Sequence, residues 1–237
     1  MFIFYHPEPI EQQVLLGADE SHHLARVLRL QKGERVTLFD GRGGVFHGLI
    51  EKPDPKAALI VELQKDAPSH QPSYRLHVAI APTKTHERFE WFLEKATEIG
   101  VSQISPLLTK RTERPRINDT RAAKILVSAM KQSKNAFLPK LNPAIKLEQL
   151  FATYPAPATY IAHCMPGNKP LLSSLAVESI DILVLIGPEG DFTPDEIEFS
   201  TRAGAKEISL GNSRLRTETA GITACMMVAL AHHPEMM

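Results

Sequence analysis

The sequence predicts a two-domain α/β protein in which a small N-terminal β-barrel precedes a larger domain with a mostly parallel sheet. Short strand-like segments separated by glycines fill the first part of the chain, whereas apolar strands alternate with amphipathic helices from Leu76 onward. Between these two patterns lies the segment Lys65–Ser73, whose proline, serine and polar residues are typical of a linker. We therefore predict domains at residues 1–70 and 73–237, and 237 residues are enough to bury a core in each.

The first domain is predicted from four short strands at residues 2–5, 35–40, 45–51 and 58–63. Gly41, Gly43 and Gly44 stand between the second and third of these strands, as a tight turn requires. A helical stretch between Asp19 and Leu30 interrupts the strands, with apolar and basic residues on different faces. This order of elements indicates a small β-barrel with one inserted helix.

The second domain is predicted from strands and helices that alternate along the chain. The expected strands are residues 76–81, 104–108, 159–163, 182–186 and 207–210, and the expected helices are residues 87–99, 119–133, 194–203 and 216–232. Alternation of this kind is typical of an α/β fold in which helices cover a mostly parallel sheet.

The formal net charge is zero, but the charges are unevenly distributed. Residues 110–146 hold ten basic and two acidic residues, whereas residues 181–200 hold six acidic residues and no lysine or arginine. Because phosphate neutralisation dominates affinity for nucleic acids, one basic face is compatible with an RNA partner. A solvated helix face accounts for the basic segment equally well from charge alone.

The cysteines and the apolar segments indicate where in the cell the protein is located. Cys164 and Cys225 are the only cysteines and have no metal-ligand spacing, which favours a reducing compartment without structural zinc. The longest apolar run, Ala220–Ala231, is shorter than the roughly 18 residues of a membrane span and suits a buried helix. We therefore expect a cytoplasmic protein without a membrane segment.

Two segments, residues 183–197 and 208–220, each predict a buried strand, a glycine-bearing loop and a helix start. Thr193 is a natural N-cap, Pro194 suits the first helical position and Glu196 completes a capping box. The two loops are expected at the carboxyl ends of adjacent strands, where α/β sheets bind ligands. Ordinary turns explain the same glycines about as well from spacing alone.

Two common nucleotide-binding classes are excluded by these loops. No GxGxxG sequence follows the first strand of the second domain, which argues against a nicotinamide dehydrogenase. The sequence Gly-Pro-Glu-Gly-Asp-Phe lacks the Gly-Lys-Ser/Thr ending of a phosphate-binding loop. The glycines therefore indicate a ligand that lies close to the loop backbone and has no phosphate groups for the loop to bind.

The same loops carry a family resemblance. The sequences IGPEGDFTPDEI and SLGNSRLRTETA resemble the signature of the RsmE-type SPOUT methyltransferases, which methylate N3 of a uridine in the 16S ribosomal RNA of the small subunit. Further similar segments occur in matching order at residues 22–29, 38–41, 95–101, 106–108 and 132–133. The resemblance implies a PUA-like N-terminal barrel that binds RNA, a C-terminal trefoil-knot domain, S-adenosylmethionine as cofactor, and a homodimer.

The resemblance also implies roles for residues of the two loops. Cofactor contacts are expected from Ile186, Gly187, Glu189, Gly190, Leu210, Gly211, Ser213 and Leu215. Methyl transfer to uridine N3 requires alignment, loss of the imide proton and stabilisation of a developing anion, but no metal. Arg216 is the candidate for anion stabilisation, with Glu189 and Glu218 as candidate bases. A helix-start ion pair or cap is the alternative role of Arg216 and Glu218.

RNA contacts are expected from basic residues in both domains. The candidates are Arg26, Arg29, Lys84, Arg88, Arg111 and Arg114, and only the first two are supported by the resemblance. An exposed charged helix is the alternative explanation of this set. His22 and His23 adjoin these residues, but two histidines without a third ligand do not predict a metal site.

The chain departs from the family pattern at three places. Asp191 stands where glycine is usual, and Lys131 stands where an acidic residue is usual, followed by Lys134-Asn135 where an arginine is common. The third, Asn212–Arg214, varies a tolerant part of the motif. Two rival functions remain: a SPOUT methyltransferase acting on transfer RNA or a ribose hydroxyl, and a catalytically silent RNA-binding assembly factor.

Overall fold

The computed structural model describes residues 1–67, 69, 72–155, 158–176 and 179–232. The chain forms two compact units, Met1–Gln71 with Val127–Leu138, and Pro72–Leu126 with Pro139–Met237. Pro68, His70 and Gln71 of the predicted linker lie outside the described residues. The sequence did not predict that residues 127–138 pack with the N-terminal residues.

The first unit is built on a curled five-stranded sheet. Its elements are β1 (Ile3–Tyr5), β2 (Val14–Leu15), α1 (Ala18–His22), a π-helical turn (His23–Val27), β3 (Arg35–Phe39), β4 (Val45–Lys52) and β5 (Leu59–Lys65). The strand order is β1-β3-β4-β5-β2, with β1 parallel to β3 and the other pairs antiparallel. The four predicted strands and the inserted helix are confirmed; β2 was missed because two residues carry no periodic signal.

A tight turn joins β3 to β4 as predicted. Gly41 and Gly43 adopt φ of 74° and 93°, where residues with a side chain are strained. Asp40 holds the turn because its Oδ1 accepts the N–H groups of Arg42 and Gly44 at 2.7 and 2.8 Å. The strands enclose a core that includes Phe4, Leu24, Leu38, Ile50 and Ile60.

Residues 127–138 add a second small cluster to the first unit. Met130 and Ala136 are fully buried beside Phe39. Beside this cluster, Lys131 Nζ lies 2.6 Å from Glu20 Oε1, with side chains only 21% and 14% exposed. The lysine that departs from the family pattern is therefore one half of a partly buried ion pair.

The second unit is an α/β fold whose described strand pairs are all parallel, which confirms the prediction. Its strands are β6 (Arg75–Ile80), β7 (Gln103–Leu108), β8 (Lys140–Leu141), β9 (Ile145–Lys146), β10 (Ala158–Ala162), β11 (Asp181–Ile186) and β12 (Lys206–Ile208). Its helices are α2 (His86–Ile99), α3 (Asp119–Ser133, which belongs to the first unit from Val127), α4 (Leu147–Thr153), α5 (Leu172–Ala176), α6 (Pro194–Arg202) and α7 (Thr217–His232).

The strand order β12-β10-β11-β6-β7-β8, with β9 also paired to β7, corrects one prediction. The strands before the two glycine-bearing loops, β11 and β12, are not adjacent, because β10 lies between them. Local sequence patterns do not encode which parallel strands pair, since the pairing is made across long crossover connections. The loop after β10 therefore joins the other two at the carboxyl edge of the sheet.

The remaining differences concern the ends of elements. The strand expected at 207–210 ends at Ile208, which leaves Leu210 in a loop, and the last helix begins at Thr217. Short β8, β9, α4 and α5 were missed because they span seven residues or fewer. The apolar run Ala220–Ala231 lies within α7 as predicted. Among the described residues, no helix combines the length and apolar character needed to cross a membrane.

Candidate functional site

A cavity of about 420 Å³ opens at the carboxyl edge of the parallel sheet. Its walls are the loops that follow β10, β11 and β12, closed by the first turn of α7. Apolar walls come from Ala162, Ile186, Ile208, Leu210, Leu215 and Ala220, and the rest of the lining consists of loop residues with polar backbone or side chains. The volume lies in the range of small-molecule sites, and the mixed lining suits a ligand with a flat apolar part and several polar groups.

Seven of the eight predicted cofactor residues line this cavity: Ile186, Gly187, Glu189, Leu210, Gly211, Ser213 and Leu215. The eighth, Gly190, does not line it; its carbonyl oxygen instead accepts from Arg111 Nη1 at 2.6 Å. The two loops that the sequence singled out thus face one another across a single cavity.

The loop after β11 is fixed by the start of α6. Thr193 caps the helix, Pro194 opens it, and Thr193 and Glu196 form the predicted capping box. Glu196 is 4% exposed, and its Oε1 also accepts the Lys110 N–H at 2.7 Å. Because the carboxylate satisfies backbone donors from two segments, it holds the loop in one conformation.

Gly187 lies where that loop passes closest to the core. A Cβ at this position would stand 3.0 Å from the ring of Phe192, which is 1% exposed. Glycine is therefore needed here for close packing, and its carbonyl oxygen accepts from Thr217 Oγ1 at 3.1 Å. The bond joins the loop after β11 to the first turn of α7.

The loop after β12 depends on a left-handed glycine. Gly211 has φ of +121°, and Ser209 Oγ both accepts the Gly211 N–H and donates to the Gly211 carbonyl oxygen, each at 3.1 Å. A side chain at Gly211 would meet no neighbouring atom, so the backbone angle, not space, selects glycine.

The sequence prediction missed the third wall, the loop after β10. His163, Cys164 and Lys169 line the cavity, together with Asp191 from the loop after β11. The His163 side chain is 1% exposed, its Nε2 lies 2.7 Å from Glu207 Oε2, and burial followed by the Lys169 charge lowers its pKa. The position of β10 between β11 and β12 identifies this loop as a wall of the cavity, and that position is known from the fold and not from a local sequence pattern.

The three catalytic candidates lie in different settings. Glu189 lines the cavity, and its Oε1 accepts the Lys84 N–H at 2.9 Å. Glu218 is 6% exposed and lines a separate depression with Arg88 and Trp91; its Oε1 lies 3.8 Å from Arg88 Nε. Arg216 is exposed next to the cavity residue Leu215, and its side chain makes no ion pair within the described part of the chain.

The RNA candidates divide into paired and unpaired side chains. Lys84 Nζ pairs with Glu113 at 2.8 Å, Arg88 faces Glu218, and Arg111 donates to the loop after β11. Arg26, Arg29 and Arg114 are exposed and form no ion pair with any described residue. Arg26 belongs to the π-helical turn, and Arg29 has φ of +54°, an uncommon angle for arginine. Within the described ranges, no three His, Cys, Asp or Glu side chains are grouped to hold a metal ion.

Two parts of the chain match known family models. Residues 70–229 match the model described as an RNA methyltransferase domain, and residues 16–63 match the RNA methyltransferase PUA domain. The chain belongs to this RNA methyltransferase family. The first match covers more than half of the chain and includes all three cavity loops.

Individual relatives agree over nearly the whole chain. The ribosomal RNA small subunit methyltransferase E of Rickettsia conorii is 31% identical over 211 residues, which is 88% of this chain and 86% of that protein. A structure described as a probable rRNA-methyltransferase from Porphyromonas gingivalis is 39% identical, covers 99% of this chain and 100% of its own, and has a TM-score of 0.89. The Neisseria gonorrhoeae ribosomal RNA small subunit methyltransferase E, bound to S-adenosyl methionine, is 27% identical over 95% of each chain with a TM-score of 0.84.

Proposed function

We propose that this protein transfers the methyl group of S-adenosylmethionine to N3 of one uridine in the 16S RNA of the small ribosomal subunit. The observation that carries the proposal is the cavity at the carboxyl edge of the sheet, walled by the loops that hold the two signature sequences. Similarity to small-subunit RNA methyltransferases along the whole chain supports the substrate class.

The residues present fit the cofactor. The cavity is large enough for an adenosyl group with an amino-acid tail. The backbone of Gly187 and Gly211 lines the cavity, and Ile186, Leu210 and Leu215 supply apolar surface for a flat adenine. Lys169, the lysine in the wall, already donates to the His163 and Met165 carbonyl oxygens. The cofactor supplies a methyl group on a positively charged sulfur.

Glu189 is the proposed proton acceptor. Of the two candidate carboxylates it alone lines the cavity, whereas Glu218 faces Arg88 outside it. One Glu189 oxygen is held by the Lys84 backbone, which would orient the carboxylate. Glu189 would accept the proton that uridine N3 loses when it receives the methyl group.

Arg216 is the proposed stabiliser of the uridine anion. Its guanidinium has no carboxylate partner among the described residues, so its charge is available to a ligand. A preorganised cation beside the carbonyl oxygen atoms of the uridine would lower the barrier to methyl transfer more than it strengthens RNA binding. Arg216→Ala should therefore lower kcat while leaving the Kd for S-adenosylmethionine near that of the native protein.

The first unit is the proposed RNA-binding part. Arg26 and Arg29 are exposed and unpaired among the described residues; Arg26 lies in the π-helical turn of the PUA-type segment, and Arg29 follows the end of that turn. Arg114, in the second unit, is likewise exposed and unpaired among the described residues. Lys84, Arg88 and Arg111 are weaker candidates, because each already contacts protein groups.

A homodimer is proposed from the surface of α2 and α7. Glu218 is the only acidic residue of α7, and the helix contains no lysine or arginine; Trp91 and Met226 are each 43% exposed. Interface cores are depleted in charge and enriched in tryptophan and methionine, so a second copy of this chain is the proposed occupant. Met226→Glu should convert the dimer to a monomer in light scattering.

The deciding experiment is mass mapping of methylated nucleosides in small-subunit RNA after incubation with the protein and labelled S-adenosylmethionine. Native protein is expected to produce N3-methyluridine at one site, with less product from Arg216→Ala. Label in transfer RNA or on ribose would instead identify a different SPOUT methyltransferase. RNA binding without any transfer would identify a silent assembly factor.

A further inference from the structure

We propose that Asp191 is a positioning residue that ties two walls of the cofactor cavity together, so that affinity for S-adenosylmethionine depends on its carboxylate. The inference rests on the proposed cofactor but not on the RNA target. It concerns a residue that the sequence marked only as a departure from the family pattern.

Both oxygens of the Asp191 carboxylate are engaged by backbone. Oδ2 accepts the Cys164 N–H at 2.8 Å, and Oδ1 accepts the Phe192 N–H at 2.8 Å. Cys164 belongs to the loop after β10, and Phe192 belongs to the loop after β11. One carboxylate therefore bridges two loops that line the cavity. Among the described residues, the backbone connection between these loops is otherwise the pairing of their parallel strands, as far as Ala162 and Ile186.

The backbone at Asp191 is shaped for this contact. Asp191 has φ of +63°, and its N–H donates to the Pro188 carbonyl oxygen at 2.8 Å, which closes a turn. The left-handed conformation is accessible to Asp more readily than to most residues. Glycine would adopt this angle with less strain, so the turn alone does not explain the presence of a carboxylate.

At its far end the loop after β10 is tied by backbone to the loop after β12: the Ser209 N–H donates to the Pro170 carbonyl oxygen at 2.9 Å, and the Leu172 N–H donates to the Ser209 carbonyl oxygen at 3.1 Å. The part of the loop nearer β10 has few other fixed points. The Met165 N–H donates to His163 Nδ1 at 3.2 Å, and Lys169 Nζ donates to the His163 and Met165 carbonyl oxygens at 2.8 and 2.6 Å. These contacts hold the loop to itself. Apart from the Asp191 carboxylate, the side-chain contact that holds the loop to another strand is that of His163 with Glu207 on β12.

Loss of the Asp191 contact should therefore free the part of this cavity wall around Cys164. A cofactor that binds between the walls would then have to order the loop after β10, and the cost of that ordering weakens binding. Because hydrogen bonds to charged groups are stronger than neutral ones, we expect Asp191→Gly to weaken S-adenosylmethionine binding about tenfold. Asp191→Asn keeps one acceptor oxygen and should weaken it by a smaller factor.

The test measures calorimetric Kd values for S-adenosylmethionine and S-adenosylhomocysteine in the absence of RNA. Both Asp191→Gly and Asp191→Asn tolerate the left-handed turn, so reduced affinity in both points to the carboxylate. Asp54→Asn is the matched control, since Asp54 accepts the Lys56 N–H in a turn of the first unit that does not line the cavity. The control should bind both ligands like the native protein.

Hydrogen exchange of the Cys164 amide in the ligand-free protein gives a second readout. It should be slow in the native protein and faster in both Asp191 variants. Equal Kd values in all proteins, or unchanged Cys164 exchange, would overturn the proposal. Weaker binding of S-adenosylmethionine alone would also overturn it, because the carboxylate would then act through attraction to the positive sulfur.

Failure of the proposed function would look different. Native protein that binds neither ligand would contradict the cofactor assignment, yet Cys164 exchange would still report whether Asp191 holds the loop. If Asp191→Gly does not fold, Asp191→Asn provides the same comparison with one acceptor retained.

Discussion

Thr217 and Gly187, thirty residues apart in the chain, are joined across the cavity edge by a hydrogen bond of 3.1 Å from the threonine hydroxyl to the glycine carbonyl oxygen. Both residues line the cavity, and the Thr217 residue is 5% exposed. Because α7 and the loop after β11 form separate walls, this bond fixes their separation. Its strength can be measured with a variant of nearly the same volume.

Thr217→Val is expected to lower the free energy of unfolding by about 1–3 kcal/mol, because the Gly187 carbonyl oxygen would be left unsatisfied in a buried position. The affinity for S-adenosylmethionine should fall as well, which calorimetry measures alongside chemical unfolding. Thr217→Ser keeps the hydroxyl and should remain close to the native protein in both. Equal behaviour of the two variants would show that the bond does not support the cavity.

The two glycines of the loop after β11 should respond differently to a methyl group. A Cβ on Gly187 would lie 3.0 Å from the buried Phe192 ring, whereas one on Gly190 would lie 3.3 Å from Cδ of the flexible, exposed Arg111 side chain. We expect Gly187→Ala to destabilise the protein by about 1–3 kcal/mol, the usual cost of overpacking. Gly190→Ala should cost less than about 0.5 kcal/mol. Thermal unfolding and cofactor titration of both variants check this order.

RNA binding by the first unit should be visible in its salt dependence. Arg26→Ala and Arg29→Ala are each expected to weaken RNA binding and to reduce the slope of log K against log salt by about 0.7, the value for one phosphate contact on a single strand. Arg75→Ala is the matched control, since Arg75 is already paired with Asp181 at 2.5 Å. If the Arg75 variant loses affinity as much as the other two, the assignment of Arg26 and Arg29 is incorrect.

A buried histidine should make stability fall in weak acid. His77 is 8% exposed, its Nε2 lies 2.8 Å from Ser105 Oγ, and burial lowers its pKa to about 4. Between pH 6.5 and 4 the unfolded chain binds a proton at this position that the folded protein does not, so stability present at neutral pH is lost as pH falls. The loss should approach about 1.4 kcal/mol per pH unit within that window.

The contribution of His77 is isolated by comparison with His77→Gln, which can still hydrogen-bond to Ser105 but does not titrate. Urea unfolding at pH 7, 6 and 5 should show a steeper decline for the native protein than for the variant. Parallel declines would mean that other groups dominate the acid sensitivity.

Much of the fold follows from local chemistry. The period of apolar residues predicted α2, α3, α6 and α7 to within about two residues, and the capping box at Thr193 and Glu196 placed the start of α6 correctly. Such signals are local because a helix satisfies its backbone within its own turn. The glycine turn between β3 and β4 was predictable for the same reason.

The order of the parallel strands was not predictable, and neither was one wall of the cavity. The position of β10 between β11 and β12 depends on long crossovers, so the loop after it was assigned no role. Asp191 was noted only as a residue unusual for the family, because its partner Cys164 is 27 residues away. Pairings at such separations require the three-dimensional structure.

Lys131 provides a final example, because its partner Glu20 is 111 residues away in the chain. The two side chains are only 21% and 14% exposed, and Glu20 Oε2 accepts no hydrogen bond from any described residue. Lys131→Glu would place two carboxylates together without a counter-ion. We expect it to lower the free energy of unfolding by about 3 kcal/mol, the lower end of the range for breaking a buried pair.

The double exchange Glu20→Lys with Lys131→Glu restores opposite charges and should recover most of that loss in urea unfolding. Lys32→Glu is the matched control, since Lys32 pairs with Glu51 on the surface with side chains 66% and 44% exposed. It should change stability by less than about 1 kcal/mol. Recovery in the double variant would show that Lys131 is accommodated by its partner Glu20 on α1. A loss of stability equal to the sum of the losses in Glu20→Lys and in Lys131→Glu would show that Lys131 acts independently of Glu20.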